Sequence, residues 1–188
     1  MSSPNPFSEP EQRELLEIAR TALGTFFREQ RLLPVKPRSP RLSEPAGAFV
    51  TLERGGSLRG CIGHLAADRP LSLTVQEMAV QAATGDPRFS PVTPDELSRI
   101  DIEISVLSPM RRIADPAEIR IGADGLFISQ GMRRGVLLPQ VAVREHWDGP
   151  TFLEMTCLKA GLPRGAWREA EVSVFSAQVF GERDTGKR

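Results

Sequence analysis

Ala48-Phe49-Val50-Thr51-Leu52-Glu53-Arg54-Gly55-Gly56-Ser57-Leu58-Arg59-Gly60-Cys61-Ile62 is the stretch whose reading decides the fold. Ala48, Val50 and Leu52 alternate with Phe49, Thr51 and Glu53, which gives an extended segment one apolar face and one mixed face. Gly55-Gly56 supplies a tight hairpin turn, and Ser57 to Ile62 returns as the partner strand. A second alternation sets Ile100, Ile102, Ile104 and Val106 against Asp101, Glu103 and Ser105. It predicts a strand over 100–107 in an antiparallel sheet with one covered face.

Helical segments flank these strands. Ser8-Glu9-Pro10-Glu11 reads as a capping box, and Leu15, Leu16, Ile18, Ala19, Ala22, Leu23, Phe26 and Phe27 follow at helical spacing to near Gln30. Four prolines then force an irregular connection from Leu33 to Pro45. Pro70 suits the first turn of a second helix with a thin alanine face, closed by Gly85. Thr93-Pro94-Asp95-Glu96 and Asp115-Pro116-Ala117-Glu118 open short helical turns. Leu126 to Ser129 and Gly135 to Leu138 form a hairpin across Gln130-Gly131-Met132. Pro139 starts a helix to Trp147, Gly149-Pro150 breaks it, and another helix runs from Thr151 to Ala160. Val172 to Phe180 closes the chain as one strand. Strand pairs mixed with helices, without regular βαβ alternation, argue for an α+β fold with a mainly antiparallel sheet and flanking helices.

At 188 residues the chain fits one module, with a folded core over about 8–180 and short polar tails. Lys+Arg 24 against Asp+Glu 24 leaves no basic excess, so neither nucleic acid nor an anionic membrane surface is an expected partner. No apolar run approaches the ~20 residues of a membrane span. The polar, proline-bearing start lacks the features of a secretory signal, and a cytoplasmic protein is expected. Two well-separated cysteines, Cys61 and Cys157, read as free thiols, or as a redox pair if the fold brings them together. With His64 and His146 they make no close ligand pair, so neither a metal nor a cofactor is expected.

Chemistry concentrates in Leu58-Arg59-Gly60-Cys61-Ile62-Gly63. Cys61 is a nucleophile if a nearby positive charge lowers its pKa, and a buried structural thiol if none does. Arg59 offers a planar fork of donors to an anion, or an internal salt bridge. His64 lies three residues beyond Cys61, on the opposite side of an extended strand unless the chain bends at Gly63. Asp86 caps a turn and pairs with Arg88, or the two line a pocket beside Gly60 and Gly63. Glu103, on the polar side of its strand, is a base only if a cleft covers it. No GxGxxG, Walker A, GxSxG or HExxH pattern occurs.

These pieces come in a known order. Phe49-Val50-Thr51-Leu52, Leu58-Arg59-Gly60-Cys61-Ile62-Gly63, Asp86-Pro87-Arg88-Phe89, Ser105-Val106-Leu107, Leu138-Pro139-Gln140-Val141-Ala142, Trp147-Asp148, Phe152-Leu153, Cys157-Leu158-Lys159-Ala160-Gly161-Leu162 and Trp167 together resemble the AMMECR family. Its prokaryotic members are also called protein A of the AmmeMemoRadiSam system. The resemblance implies two lobes around a cleft, with the Leu58–Gly63 signature near it. It also implies Memo-like and radical-SAM proteins as partners, and it brings no assigned reaction. The expectation is a cleft-containing binding or scaffold module that takes a partner's segment or a small anionic ligand. The alternative is an enzyme or enzyme subunit with Cys61 as nucleophile or thiol carrier, Arg59 orienting an anionic substrate, and Asp86 or Glu103 handling protons.

Overall fold

The structure, a computed structural model, describes residues 6–184. The polar tails expected at the two ends, Lys187-Arg188 among them, fall largely outside that range. Two compact units emerge: one runs up to Leu107 and takes the chain back from Gln178, and the other is Ser108–Ala177.

In the first unit, α1 (Glu9–Glu29) precedes the hairpin of β1 (Ala48–Arg54) and β2 (Ser57–His64). Then come α2 (Leu71–Thr84), a 3-10 turn over Pro94–Arg99, and β3 (Ile100–Leu107). The final strand β8 (Ala177–Gly181) lies beside β3, so the strand order is β2-β1-β3-β8, and β2 is an edge. β1 is antiparallel to both neighbours. The apolar set read from the alternation, Val50, Leu52, Ile102 and Ile104, is buried with Leu15 and Leu23 of α1 and Val75 and Ala79 of α2. The thin face of α2 explains a close approach. A Cβ on Gly60 of β2 would stand 2.1 Å from the carbonyl oxygen of Ala82. The Leu33–Pro45 connection is irregular as its prolines require, apart from a 3-10 turn over Pro40–Ser43.

The second unit has its own sheet, β4-β7-β5-β6, built from β4 (Arg111–Ile113), β5 (Gly125–Gln130), β6 (Arg133–Leu137) and β7 (Glu171–Phe175). Helix α4 (Gly149–Lys159) follows the short α3 (Pro139–Arg144) and buries Phe152, Leu153 and Cys157 against Leu126, Ile128 and Val174. Gly135 permits this contact, since a Cβ there would lie 2.7 Å from the Thr156 carbonyl oxygen. Trp147 and Trp167 pack at the margin of that core, and the Trp167 indole N–H donates to Glu154 Oε1 at 2.9 Å.

Three readings need correction, and one short strand carries no signal in the sequence. The closing segment is two strands rather than one: it breaks at Ser176, which exchanges hydrogen bonds with Ser108, and β7 and β8 join different sheets. Gly149-Pro150 starts α4 instead of breaking a helix. Asp148 caps it by accepting from the Thr151 N–H at 2.9 Å, and proline's missing donor is harmless in a first turn. Helix α3 stops at Arg144, short of Trp147, and His146 takes a left-handed φ of 56°. Strand β4 is three residues long, too short to show an alternation.

Candidate functional site

The hairpin register decides where the signature residues point. A bulge between Leu52 and Glu53 lets β2 run ahead by one, so Cys61 pairs with Thr51 and Gly63 with Phe49. On the other side of β1, Thr51 pairs with Glu103 and Phe49 with Ser105. Cys61, Thr51 and Glu103 therefore form one row across three strands, on the face turned away from α1 and α2. The Thr51 hydroxyl donates to Cys61 Sγ at 3.3 Å. In the next row the Phe49 ring lies over Gly63, where a Cβ would come within 2.2 Å of it.

As an edge strand, β2 leaves backbone groups without a neighbour, and Asp86 and Arg88 supply one. The Cys61 N–H donates to Asp86 Oδ2 at 2.8 Å, and Arg88 Nη2 approaches the Cys61 carbonyl oxygen at 3.4 Å. The Arg88 guanidinium grips the same carboxylate through Nε at 2.9 Å and Nη2 at 2.7 Å. Asp86 is only 5% exposed, and the Arg88 guanidinium, helped by the Cys61 and Arg88 N–H groups, holds its carboxyl far below the usual carboxylate range. Phe89 is half-buried, with the Arg88 guanidinium 5.5 Å above its ring, and stands outside the buried core.

Arg59 is committed elsewhere. Its fork meets the Glu96 carboxylate through Nε at 3.0 Å and Nη2 at 2.9 Å, and it donates to the Ser90 and Pro91 carbonyl oxygens. Chiefly through this fork and the Thr93 N–H, the Glu96 carboxyl is lowered to about 2. His64 points with Gly60 and Ile62 to the other face of β2, and its Nε2 lies 2.7 Å from Asp68 Oδ1. The structure thus brings Cys61, Asp86 and Arg88 together, sets Glu103 in the same row as Cys61, and takes Arg59 and His64 out of reach of the thiol. Thr51 and Glu96 are the participants that residue-type reasoning missed.

Burial pushes the Cys61 thiol up, more than the Thr51 hydroxyl and the Arg88 charge pull it down. Glu103 is also pushed up, first by burial and then by the neighbouring carboxylates of Glu53 and Asp184. At neutral pH the row therefore presents a thiol and a hydroxyl, with no imidazole beside the sulfur. Cys61 and Cys157 are both free. Among the described residues, no group of three or more His, Cys, Asp or Glu could hold a metal ion, and no helix is long and apolar enough to cross a membrane.

The family model described as AMMECR1 matches residues 16–180. A protein of Methanothermobacter thermautotrophicus is 45% identical over 186 residues, covering 94% of this chain and 97% of its own. One from Methanosarcina barkeri is 42% identical, covering 94% of this chain and 93% of its own. The crystal structure of the uncharacterized protein PH0010 from Pyrococcus horikoshii is similar at a TM-score of 0.86 and 37% identity, over 93% of this chain and 92% of that one.

Proposed function

This chain belongs to the AMMECR1 family, and from that premise we propose that it is a cytoplasmic binding or scaffold module of the AmmeMemoRadiSam system. The observation that carries this reading is the internal use of the signature's charges. Arg59 is spent on Glu96 and two carbonyl oxygens, Asp86 on Arg88 and the Cys61 N–H, and His64 on Asp68. What remains on the sheet face is a preformed surface of Phe49, Thr51 and Cys61 beside the Glu103 carboxyl. A thiol raised by burial lacks the depressed pKa that nucleophilic cysteines need. Such a surface suits contact with a folded protein partner, of which the Memo-like and radical-SAM proteins are the ones proposed.

The test is titration of this protein with its purified Memo-like and radical-SAM counterparts, read by calorimetry. A saturable complex with one of them, weakened at least about tenfold by Thr51→Arg, supports the reading. No complex with either, under conditions where Thr51→Arg and the parent are equally folded, overturns it. The enzyme alternative rests on the Cys61–Thr51–Glu103 row, with Glu103 as base. It requires Cys61 to react as a thiolate near neutral pH.

A further inference from the structure

In the first unit, the connection that leaves α1 runs on to the 3-10 turn over Pro40–Ser43, and its residues 32–37 belong to no helix, strand or turn. It reads Arg31-Leu32-Leu33-Pro34-Val35-Lys36-Pro37, with prolines three apart and an arginine three residues ahead of the first. From its exposure, its open carbonyl groups and its charge, we infer that this segment docks a protein domain with an aromatic-lined, acid-rimmed groove, of the kind that takes polyproline helices. Its residues are not those of the signature row, and the inference does not need the proposed function.

Conformation is the first observation. Proline fixes φ near −65° and biases the residue before it toward an extended ψ. Leu33-Pro34 and Lys36-Pro37 therefore favour a left-handed backbone with three residues per turn. Burial follows that period. Leu32 and Val35, on one edge, are half-buried. Arg31 and Pro34 on the second edge are exposed, with Pro37 half-buried beyond them, and Leu33 and Lys36 on the third are exposed. Two of the three edges thus present side chains to solvent, Leu33 at 38% exposure among them.

Hydrogen bonding and charge are the second. The segment is held at both ends and open between them. Gln76 Nε2 of α2 donates to the Leu33 carbonyl oxygen at 2.6 Å, and the Glu14 carboxylate of α1 accepts from the Arg38 and Ser39 N–H groups. Among the described residues nothing donates to the carbonyl oxygens of Pro34, Val35, Lys36 or Pro37. Those are the acceptors that indole N–H and phenol O–H groups of an aromatic groove need. Pinned ends also remove part of the ordering cost of binding. From Gln30 to Ser43 the chain carries Arg31, Lys36, Arg38 and Arg41 and no acidic residue, which selects an acidic rim. Arg38 is engaged by Glu17, whereas Lys36 meets no carboxylate among the described residues. Arg31 pairs with Glu29, but both side chains are exposed, so exchanging that carboxylate for one on a partner costs little.

Calorimetric titration of the full chain with a purified SH3 domain, one selective for an arginine three residues ahead of the first proline, tests the inference. The same domain lacking its groove tryptophan is the second titrant. One-to-one saturation is expected with the intact domain and none with the groove variant. Pro34→Ala and Arg31→Ala should each weaken binding at least about tenfold, while Arg144→Met on the second unit leaves it unchanged. Arg31→Ala removes an exposed side chain, so it keeps the test decisive should Pro34→Ala lower the melting temperature. Absence of saturable binding, binding that survives loss of the groove tryptophan, full affinity in Arg31→Ala, or an equal loss in Arg144→Met would each overturn the docking segment.

Discussion

Cys61 gives its backbone N–H to the carboxylate of Asp86 at 2.8 Å, twenty-five residues along the chain, so the residue that looks like a nucleophile is held chiefly by its main chain. Asp86 and Arg88 stand where a fifth strand would, satisfying the edge of β2 at one residue. The conformation of the signature hairpin depends on that clamp, and its stability should depend on the charge of Asp86.

Asp86→Asn tests the clamp. Loss of a charge-assisted, buried acceptor should cost about 2 kcal/mol at neutral pH, read by denaturant unfolding. The sign of the pH dependence follows from a folded carboxyl held below its unfolded value near 3.9. Its stabilisation is fully present above that value and is lost as pH falls from about 4 through the lower folded value. Asp86→Asn should therefore show a flatter stability profile below about pH 4 than the parent.

The Arg59 fork on Glu96 makes a second acid-sensitive lock. With Glu96 lowered to about 2 from 4.5, the stability it gives is present above about 4.5 and is lost between there and about 2. Arg59→Lys keeps the charge but cannot reproduce the two-point grip or the donors to Ser90 and Pro91. It should lower the melting temperature at pH 7 and shift acid unfolding to higher pH.

Two signature glycines should respond differently to the same change. In Gly60→Ala the new methyl group meets the Ala82 main-chain oxygen, which cannot yield without displacing α2, and about 3 kcal/mol or more should be lost. In Gly63→Ala it meets the half-buried Phe49 ring, which can swing aside. The loss should be smaller, and Phe49→Ala should remove most of it in the double variant. Equal losses at the two positions would refute the distinction between main-chain and side-chain crowding.

Glu103 runs the other way. Its folded carboxyl is raised, so the folded state holds the proton more tightly, and stability falls as pH rises from about 4.5 through the raised value. Glu103→Gln should raise the melting temperature at pH 7 by about 2 °C or more, and the gain should vanish near pH 4.

Much of this frame was legible in the chain. The Ile100–Leu107 alternation, the Gly55-Gly56 turn and the Ser8 cap are local signals, and each appears where its residues put it. The bulge was not legible. Counting back from a two-residue turn pairs Cys61 with Val50 and buries it beneath the helices. The extra residue at Arg59 moves Cys61 opposite Thr51, onto the other face. No residue type announces that slip, because it is set by how Gly60 and Arg59 meet Ala82 and Glu96 from distant parts of the chain. The break at Ser176 was hidden for the same reason, its partner being Ser108. Asp86 and Arg88 could be read as a pair from their spacing, but not as a substitute strand, since that role exists only once β2 is known to be an edge.

The most direct test of whether Cys61 belongs to a binding surface rather than a catalytic centre is its alkylation rate against pH in a Cys157→Ser background. Slow labelling of the folded protein at neutral pH is expected, with an apparent pKa above the ordinary ~8.5 of a free thiol. Rapid labelling at pH 7 with an apparent pKa well below that value would mean an activated thiolate, and would contradict the account in favour of nucleophilic chemistry at Cys61.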